Sequence, residues 1–393
     1  MKIVFISNVL SPHQIQLCDE WVKLGVELSF IETLNIDKNT LPTGWRFVGG
    51  RNYLIDYKTY IKEYEKIQES ILEADAVILG SAPKNLLKER LKNGKITFVY
   101  SERIYKNLKN QIKWPYHFFK YKWLYGRYKN LYLLCASAFS ASDYLKVGCF
   151  KNKSFKWGYF TKVDERTKVE ASLDVSTSEN VHTLMWCARF LKWKHPELVI
   201  KLAARLKQKG YNFVIDMYGN GIEQDRIKRF THKLEVDDVI NFKGDTPNEK
   251  ILQAMREHEI FLFTSDKNEG WGAVANEAMS NGCVLVGSCA IGSVPFLVND
   301  GVNGCIFQSE NIDSLTSRVE WLLNHNEERQ QIAISGYNTM KKLWSPKQAA
   351  ERFLNLVECL ERGKDTPFVE GPCSKAKILN NNWYKGKYDT ENY

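Results

Sequence analysis

A doubly wound α/β protein of two Rossmann-like domains is predicted by three observations. Short β-rich apolar runs alternate with longer helical patterns along the chain, as parallel strands with crossover helices require. The 393 residues exceed one ordinary core and fit two domains of roughly 150–200 residues each. A polar Ser/Thr/Glu-rich stretch without apolar period, Lys162 to Asn180, separates the two series.

The first series has strand candidates at Lys2–Ser7, Glu27–Glu32, Ala76–Gly80, Ile96–Tyr100 and Leu131–Cys135. The second has them at His182–Cys187, Asn212–Gly219, Val239–Gly244, Glu259–Ser265, Cys283–Ser288 and Asn303–Phe307, with helical patterns near 196–209, 223–234, 247–257 and 271–281. Further helical patterns follow near 311–324, 327–342 and 347–361. The expected organisation is an N-terminal domain over 1–161, a linker over 162–180 and a C-terminal domain over 181–345. Residues 346–393 form a helix and tail free to return to the N-terminal domain. In such sheets ligands bind beyond the carboxyl ends of the strands, so two domains facing across a cleft would hold a ligand there.

Hydrophobic residues make up 44% and charged residues 26% of the chain, which excludes disordered and collagen-like classes. The opening apolar run stops at Ser11 and Pro12, too soon for a secretory signal. No window reaches the roughly 18 apolar residues of a membrane span. Nine cysteines, an odd number without a Cys-x-x-Cys pair, lie mostly in apolar runs. Buried thiols in a reducing compartment are therefore expected, and a cytoplasmic location. The net charge of +9 favours anionic partners.

The most informative segment is FLFTSDKNEGWGAVANEAMSNGCVLVGS, residues 261–288. A strand leads into a loop carrying Glu269, Gly270 and Gly272, and a helix expected from Trp271 places Glu277 on its second turn. Free amides at that helix end, with glycine backbone open to close approach, suit a diphosphate. The flanking carboxylates suit hydroxyls instead, as acceptors of their hydrogen bonds. A nucleotide sugar has phosphates between two hydroxyl-bearing sugars and fits this order. A second segment, LMWCARFLKWKHPEL, residues 184–198, offers the planar fork of Arg189 and the point charge of Lys194 to a leaving diphosphate. MYGNGIE adds Gly219 and Gly221 after another strand.

The pair Glu269 and Glu277, set in Glu-Gly-Trp-Gly and Asn-Glu-Ala-Met, resembles the Glu-x7-Glu signature of family 4 GT-B glycosyltransferases. Arg189 and Lys194 resemble the Arg-x4-Lys of the same family. The resemblance implies a GT-B fold and retaining transfer from a nucleotide sugar. By it Arg189 and Lys194 hold the diphosphate, Glu269 the transferred sugar and Glu277 the ribose. Gly219, Gly221, Gly270, Trp271 and Gly272 would complete the donor site. AIGSVPFLVNDGVNGCIF resembles the family's Gly-x-Pro-Glu-Leu-Val turn, with Phe296 where glutamate is usual. The N-terminal half lacks the family's Gly-Gly loop, so Asn8, His13, Gln14, Glu102 and Arg103 are the candidates to face the acceptor. Ser-Glu-Arg at 101–103, Cys135-Ala-Ser and Lys156-Trp-Gly-Tyr-Phe resemble a bacterial subgroup of capsule or exopolysaccharide synthesis. The acceptor implied is a glycan or a lipid-linked saccharide.

No metal is expected, because protein cations can stabilise the departing diphosphate and no Asp-x-Asp is present. Residues 103–130 contain eight Lys/Arg, nine aromatics and no acid. That mixture suits an anionic membrane surface and peripheral attachment at the inner face of the plasma membrane. Rival readings are a sugar-nucleotide epimerase or phosphorylase on the same fold. No nucleic acid is expected, since a nucleic-acid-binding module would leave both glutamates unexplained. A dinucleotide-dependent oxidoreductase lacks its Gly-x-Gly-x-x-Gly.

Overall fold

The structure is a computed structural model describing residues 1–36, 50–106, 108–163 and 181–386. The expected linker lies, from residue 164 onward, outside the described residues. The chain divides into two compact units. The first comprises Met1–Thr161 with Leu343–Asn380; the second comprises Lys162–Lys342 with a final piece beginning at Asn381.

The first unit is built on a parallel sheet of β1 (Lys2–Ser7), β2 (Glu27–Glu32), β3 (Leu54–Ile55), β4 (Ala76–Leu79), β5 (Thr97–Ser101), β6 (Leu131–Cys135) and β7 (Ser154–Lys156). Its order is β3-β2-β1-β4-β5-β6-β7. The second unit carries β8 (His182–Cys187), β9 (Phe213–Tyr218), β10 (Ile240–Gly244), β11 (Ile260–Phe263), β12 (Val284–Ser288) and β13 (Cys305–Phe307). Its order is β10-β9-β8-β11-β12-β13, again with every neighbour parallel. Both sheets reverse winding at their first strand, between β1 and β4 and between β8 and β11. Loops leaving adjacent strands there diverge and leave room for a ligand.

Flanking helices include α1 (Pro12–Lys23), α2 (Trp114–Tyr125), α3 (Pro196–Gln208), α4 (Val274–Ser280) and α5 (Pro346–Glu361). Helix α1 starts in a capping box, where the Ser11 amide donates to Gln14 Oε1 at 3.0 Å. Helix α5 belongs to the first unit: Trp21 of α1 donates to the Ala350 carbonyl at 3.3 Å, and Phe353 packs on Trp21, Phe98 and Trp157. All four rings are buried, so α5 covers one face of the first sheet. The following chain then caps edge strand β7. Lys156 donates to the Ser374 carbonyl at 2.7 Å, and Cys373 and Ala376 donate back to Lys156 and Ser154.

Beyond Asn380 the chain serves the second unit. Tyr384 Oη donates within a cluster of Asp300, Arg318 and the Ile306 carbonyl, and Trp383 donates to the Cys289 carbonyl at 2.9 Å. All nine cysteines are unpaired thiols, seven of them buried. Among the described residues, no helix is long and apolar enough to cross a membrane.

Candidate active site

At the reversal point of the second sheet, the loop after β8 carries Arg189 and Lys194 and the loop after β11 carries Glu269. Three hydrogen bonds join the loops. Buried Trp186 donates to Thr264 Oγ1 at 3.0 Å, Thr264 Oγ1 donates to the Lys194 carbonyl at 2.6 Å, and the Asp266 amide donates to the Trp193 carbonyl at 3.0 Å. On this frame Lys194 Nζ forms an ion pair with Glu269 Oε2, both side chains largely buried. Ser265 Oγ donates to the same carboxylate oxygen at 2.9 Å.

His195 fixes the loops further. It sits at φ 50° and bridges Glu197, at 2.8 Å from Nδ1, and Asp266, at 3.3 Å from Nε2. Burial alone would lower its imidazole, but these two partners outweigh burial and raise it to about 9. A fixed cation therefore stands beside the Lys194–Glu269 pair. The ligand atoms of His195, Asp266 and Glu310 lie within 4.8 Å of one another. A metal there would have to displace a proton held to about pH 9.

Arg189 is exposed and, among the described residues, forms no ion pair. Its backbone is positioned by the loop after β9. Phe190 donates to the Asn220 carbonyl at 2.9 Å and Glu223 donates back to the Phe190 carbonyl at 3.0 Å. This approach explains Gly219 and Gly221. A Cβ on Gly219, at φ 114°, would lie 2.2 Å from the Ala188 carbonyl oxygen, and one on Gly221 would lie 2.5 Å from that of Phe190. Both glycines thus shape the Arg189 loop by backbone packing.

The helix expected from Trp271 begins instead at Val274, as α4. Gly272 at φ 84° cannot be helical, so residues 270–273 are loop and Glu277 falls in the first turn rather than the second. With seven residues, α4 also offers a shorter dipole than the sequence suggests. The Trp271 ring is fully buried and donates to Asn276 Oδ1 at 2.9 Å, so its side chain is part of the core. Phe296, partly exposed, packs against this tryptophan at 6.3 Å between ring centroids.

Glu277 belongs to the same neighbourhood, since it and Lys194 both act electrostatically on the Cys187 thiol at the end of β8. Burial raises the Glu277 carboxyl to about 7, against a hydrogen bond from Asn248. A carboxyl raised above its unfolded value favours folding below that value, near 4.5, and loses the contribution as pH rises through 7. Glu277→Gln should therefore flatten the fall in ligand-free stability between those pH values and stabilise the protein at pH 8 by on the order of 1 kcal/mol. Denaturant titration at pH 5 and pH 8 measures it, and an unchanged pH profile would contradict the assignment.

In the first unit the reversal point opens into a cavity of about 550 Å³. Asn8, His13, Gln14, Glu102 and Arg103 all line it. His13 stacks on Tyr159 at 5.2 Å with planes 3° apart, and burial lowers its imidazole to about 4, leaving the ring neutral near pH 7. Tyr159 donates to Glu102 Oε1 at 2.6 Å, and Lys106 pairs with the other Glu102 oxygen at 2.5 Å. Asn8 Oδ1 accepts from the Val9 amide at 2.9 Å, so its oxygen is engaged in the turn after β1. Gln14 spends its side-chain oxygen on the capping box. Arg103 is buried, lies 3.7 Å from Asp143 and stacks on Phe139. Tyr159, from the Lys156-Trp-Gly-Tyr-Phe segment, and Lys84, which belongs to no motif, line the same cavity.

Residues 172–339 match the model of the family described as Glycosyl transferases group 1. The matched residues lie within the second unit, which is similar to the glycosyltransferase group 1 family. Among curated relatives, the GtfA subunit of the UDP-N-acetylglucosamine–peptide N-acetylglucosaminyltransferase of Streptococcus pneumoniae is 25% identical over 144 residues, 36% of this chain and 28% of that protein. The D-inositol 3-phosphate glycosyltransferase of Mycolicibacterium smegmatis is 24% identical over 160 residues, 40% of this chain and 36% of that protein. The chain therefore spans about a third of the length of these relatives. Among solved structures, Anabaena HepE in complex with UDP has the same fold. Its TM-score is 0.65 at 15% identity, over 90% of this chain and all of that one.

Proposed function

We propose that the chain is a retaining glycosyltransferase that moves a sugar from a nucleotide-sugar donor to a glycan or lipid-linked saccharide in cell-surface polysaccharide synthesis. The observation that carries the reading is the largely buried Lys194–Glu269 pair at the reversal point of the second sheet, with Arg189 on the same loop as Lys194. In this reading Lys194 and Arg189 take the diphosphate, Glu269 accepts hydrogen bonds from the transferred sugar and Glu277 from the ribose. As the anomeric bond breaks, charge builds on the diphosphate, and cations already fixed there stabilise it without reorganisation. His195 holds Asp266, and through it the loop that carries Glu269. A phosphate oxygen of the donor assists removal of the acceptor proton on the face from which the diphosphate leaves. No metal is needed for this chemistry.

A thermal-shift screen against UDP-, GDP- and ADP-sugars tests the donor half. One nucleotide class should raise the midpoint through linkage, and that increase should vanish in Lys194→Ala. No shift with any of them would refute the reading. An epimerase or phosphorylase would instead yield a rearranged or phosphorolysed sugar without a saccharide acceptor.

The same proposal places the protein at the inner face of the plasma membrane. Helix α2 exposes Tyr116 (61%), Phe119 (73%) and Trp123 (65%), spaced to lie on one helical face. Lys120 and Arg127 flank that stripe through cation–π contacts with Tyr116 and Trp123. Aromatic rings at headgroup depth with cations beside them suit an anionic leaflet. Vesicles containing phosphatidylglycerol should sediment the protein at low salt, and Phe119→Ser with Trp123→Ser should release most of it. Equal sedimentation of the double variant would count against docking by α2.

A further inference from the structure

Lys84 opens the short turn of helix after β4 and lines the cavity of the first unit. Its Nζ lies 4.5 Å from the centroid of the Tyr121 ring and 5.0 Å from that of Tyr125, both on the inner side of α2. The cavity's other cations are answered by carboxylates, Lys106 by Glu102 and Arg103 by Asp143. Among the described residues none answers Lys84. The charge that acts on it is another cation, Lys120. Burial, aided by Lys120, pulls its ammonium down to about 8, as expected of a partly desolvated cation with only ring faces for company.

Two tyrosine faces do not replace a counter-ion, because cation–π attraction supplies only part of what the ammonium loses on leaving water. The site is thus one negative charge short. We propose that the acceptor held in this cavity carries an anionic group, a carboxylate or a phosphate, that docks on Lys84. His13 and Tyr159 supply a flat apolar wall for a sugar ring, and Glu102 is placed to accept its hydroxyls. Lys84 would then select charged over neutral acceptors. The inference rests on reading this cavity as the acceptor site.

Two matched probe pairs test it on the full chain by ligand-observed NMR titration: methyl glucuronide against methyl glucoside for a carboxylate, and glycerol 1-phosphate against glycerol for a phosphate. In at least one pair the anion should bind about tenfold more tightly than its neutral partner. Lys84→Met should abolish that preference while leaving the neutral probe's affinity and the thermal midpoint unchanged, and Lys84→Arg should retain it. Which pair shows the preference distinguishes carboxylate from phosphate. Equal binding within both pairs, or a preference surviving in Lys84→Met, overturns the role of Lys84 and leaves the acceptor site standing. Absence of binding by all four probes, or binding insensitive to Tyr159→Leu, overturns the acceptor reading and the inference with it.

Discussion

Replacing Lys194 with alanine should lower turnover by roughly a hundredfold to a thousandfold with little change in folding, because one fixed electrostatic contact to the departing group is worth that much. Glu269→Gln should lower it as well, for a different reason. It keeps the size of the side chain and a hydrogen-bonding oxygen for Ser265, but removes the charge that holds Lys194 in place. Transfer of labelled sugar under saturating donor, with thermal unfolding alongside, separates catalysis from stability. Near-normal turnover in either variant would remove the central pair from the mechanism. Lys194→Arg should rescue poorly, since a guanidinium fork cannot occupy the place of a compact ammonium that also lies 4.3 Å from the Trp193 ring centroid.

The second large effect is expected at Gly219. Alanine there meets the Ala188 carbonyl oxygen, which is backbone and cannot step aside cheaply, and it must also hold φ 114°. The second unit should lose about 2–4 kcal/mol of stability. Donor affinity should fall further than stability explains, because the displaced segment includes Arg189. Calorimetry of unfolding and of donor binding reads both quantities. A variant with weakened folding but intact donor affinity would detach Arg189 from the diphosphate.

Long apolar runs made the central strands readable. β1, β2, β6 and β8 have the residues the alternation indicates, because a buried parallel strand must be apolar on both faces. The edge strands β3 and β7, of two and three residues, carry no such run and escape a reading by pattern. The start of α4 was illegible for another reason. Nothing local announces that Gly272 takes a positive φ, or that Phe263 lies so close that a Cβ there would meet its ring at 2.4 Å. That the indole of Trp271 fills the core is likewise a matter of packing and not of its motif. Lys194 and Glu269 stand out through the resemblance of their motifs, whereas His195 and Asp266 matter through a bond between two loops. Lys84 stands out only by what its surroundings lack, and that is a property of tertiary structure alone.

The helix that covers Trp21, Phe98 and Trp157 is encoded almost two hundred residues after the strands it covers, with the whole of the other sheet in between. During synthesis the ribosome therefore delivers the N-terminal sheet long before its lid. Those strands must wait with apolar surface uncovered while the second sheet is made. A fragment cut at residue 161 should be a poor folder however well its own strands are formed.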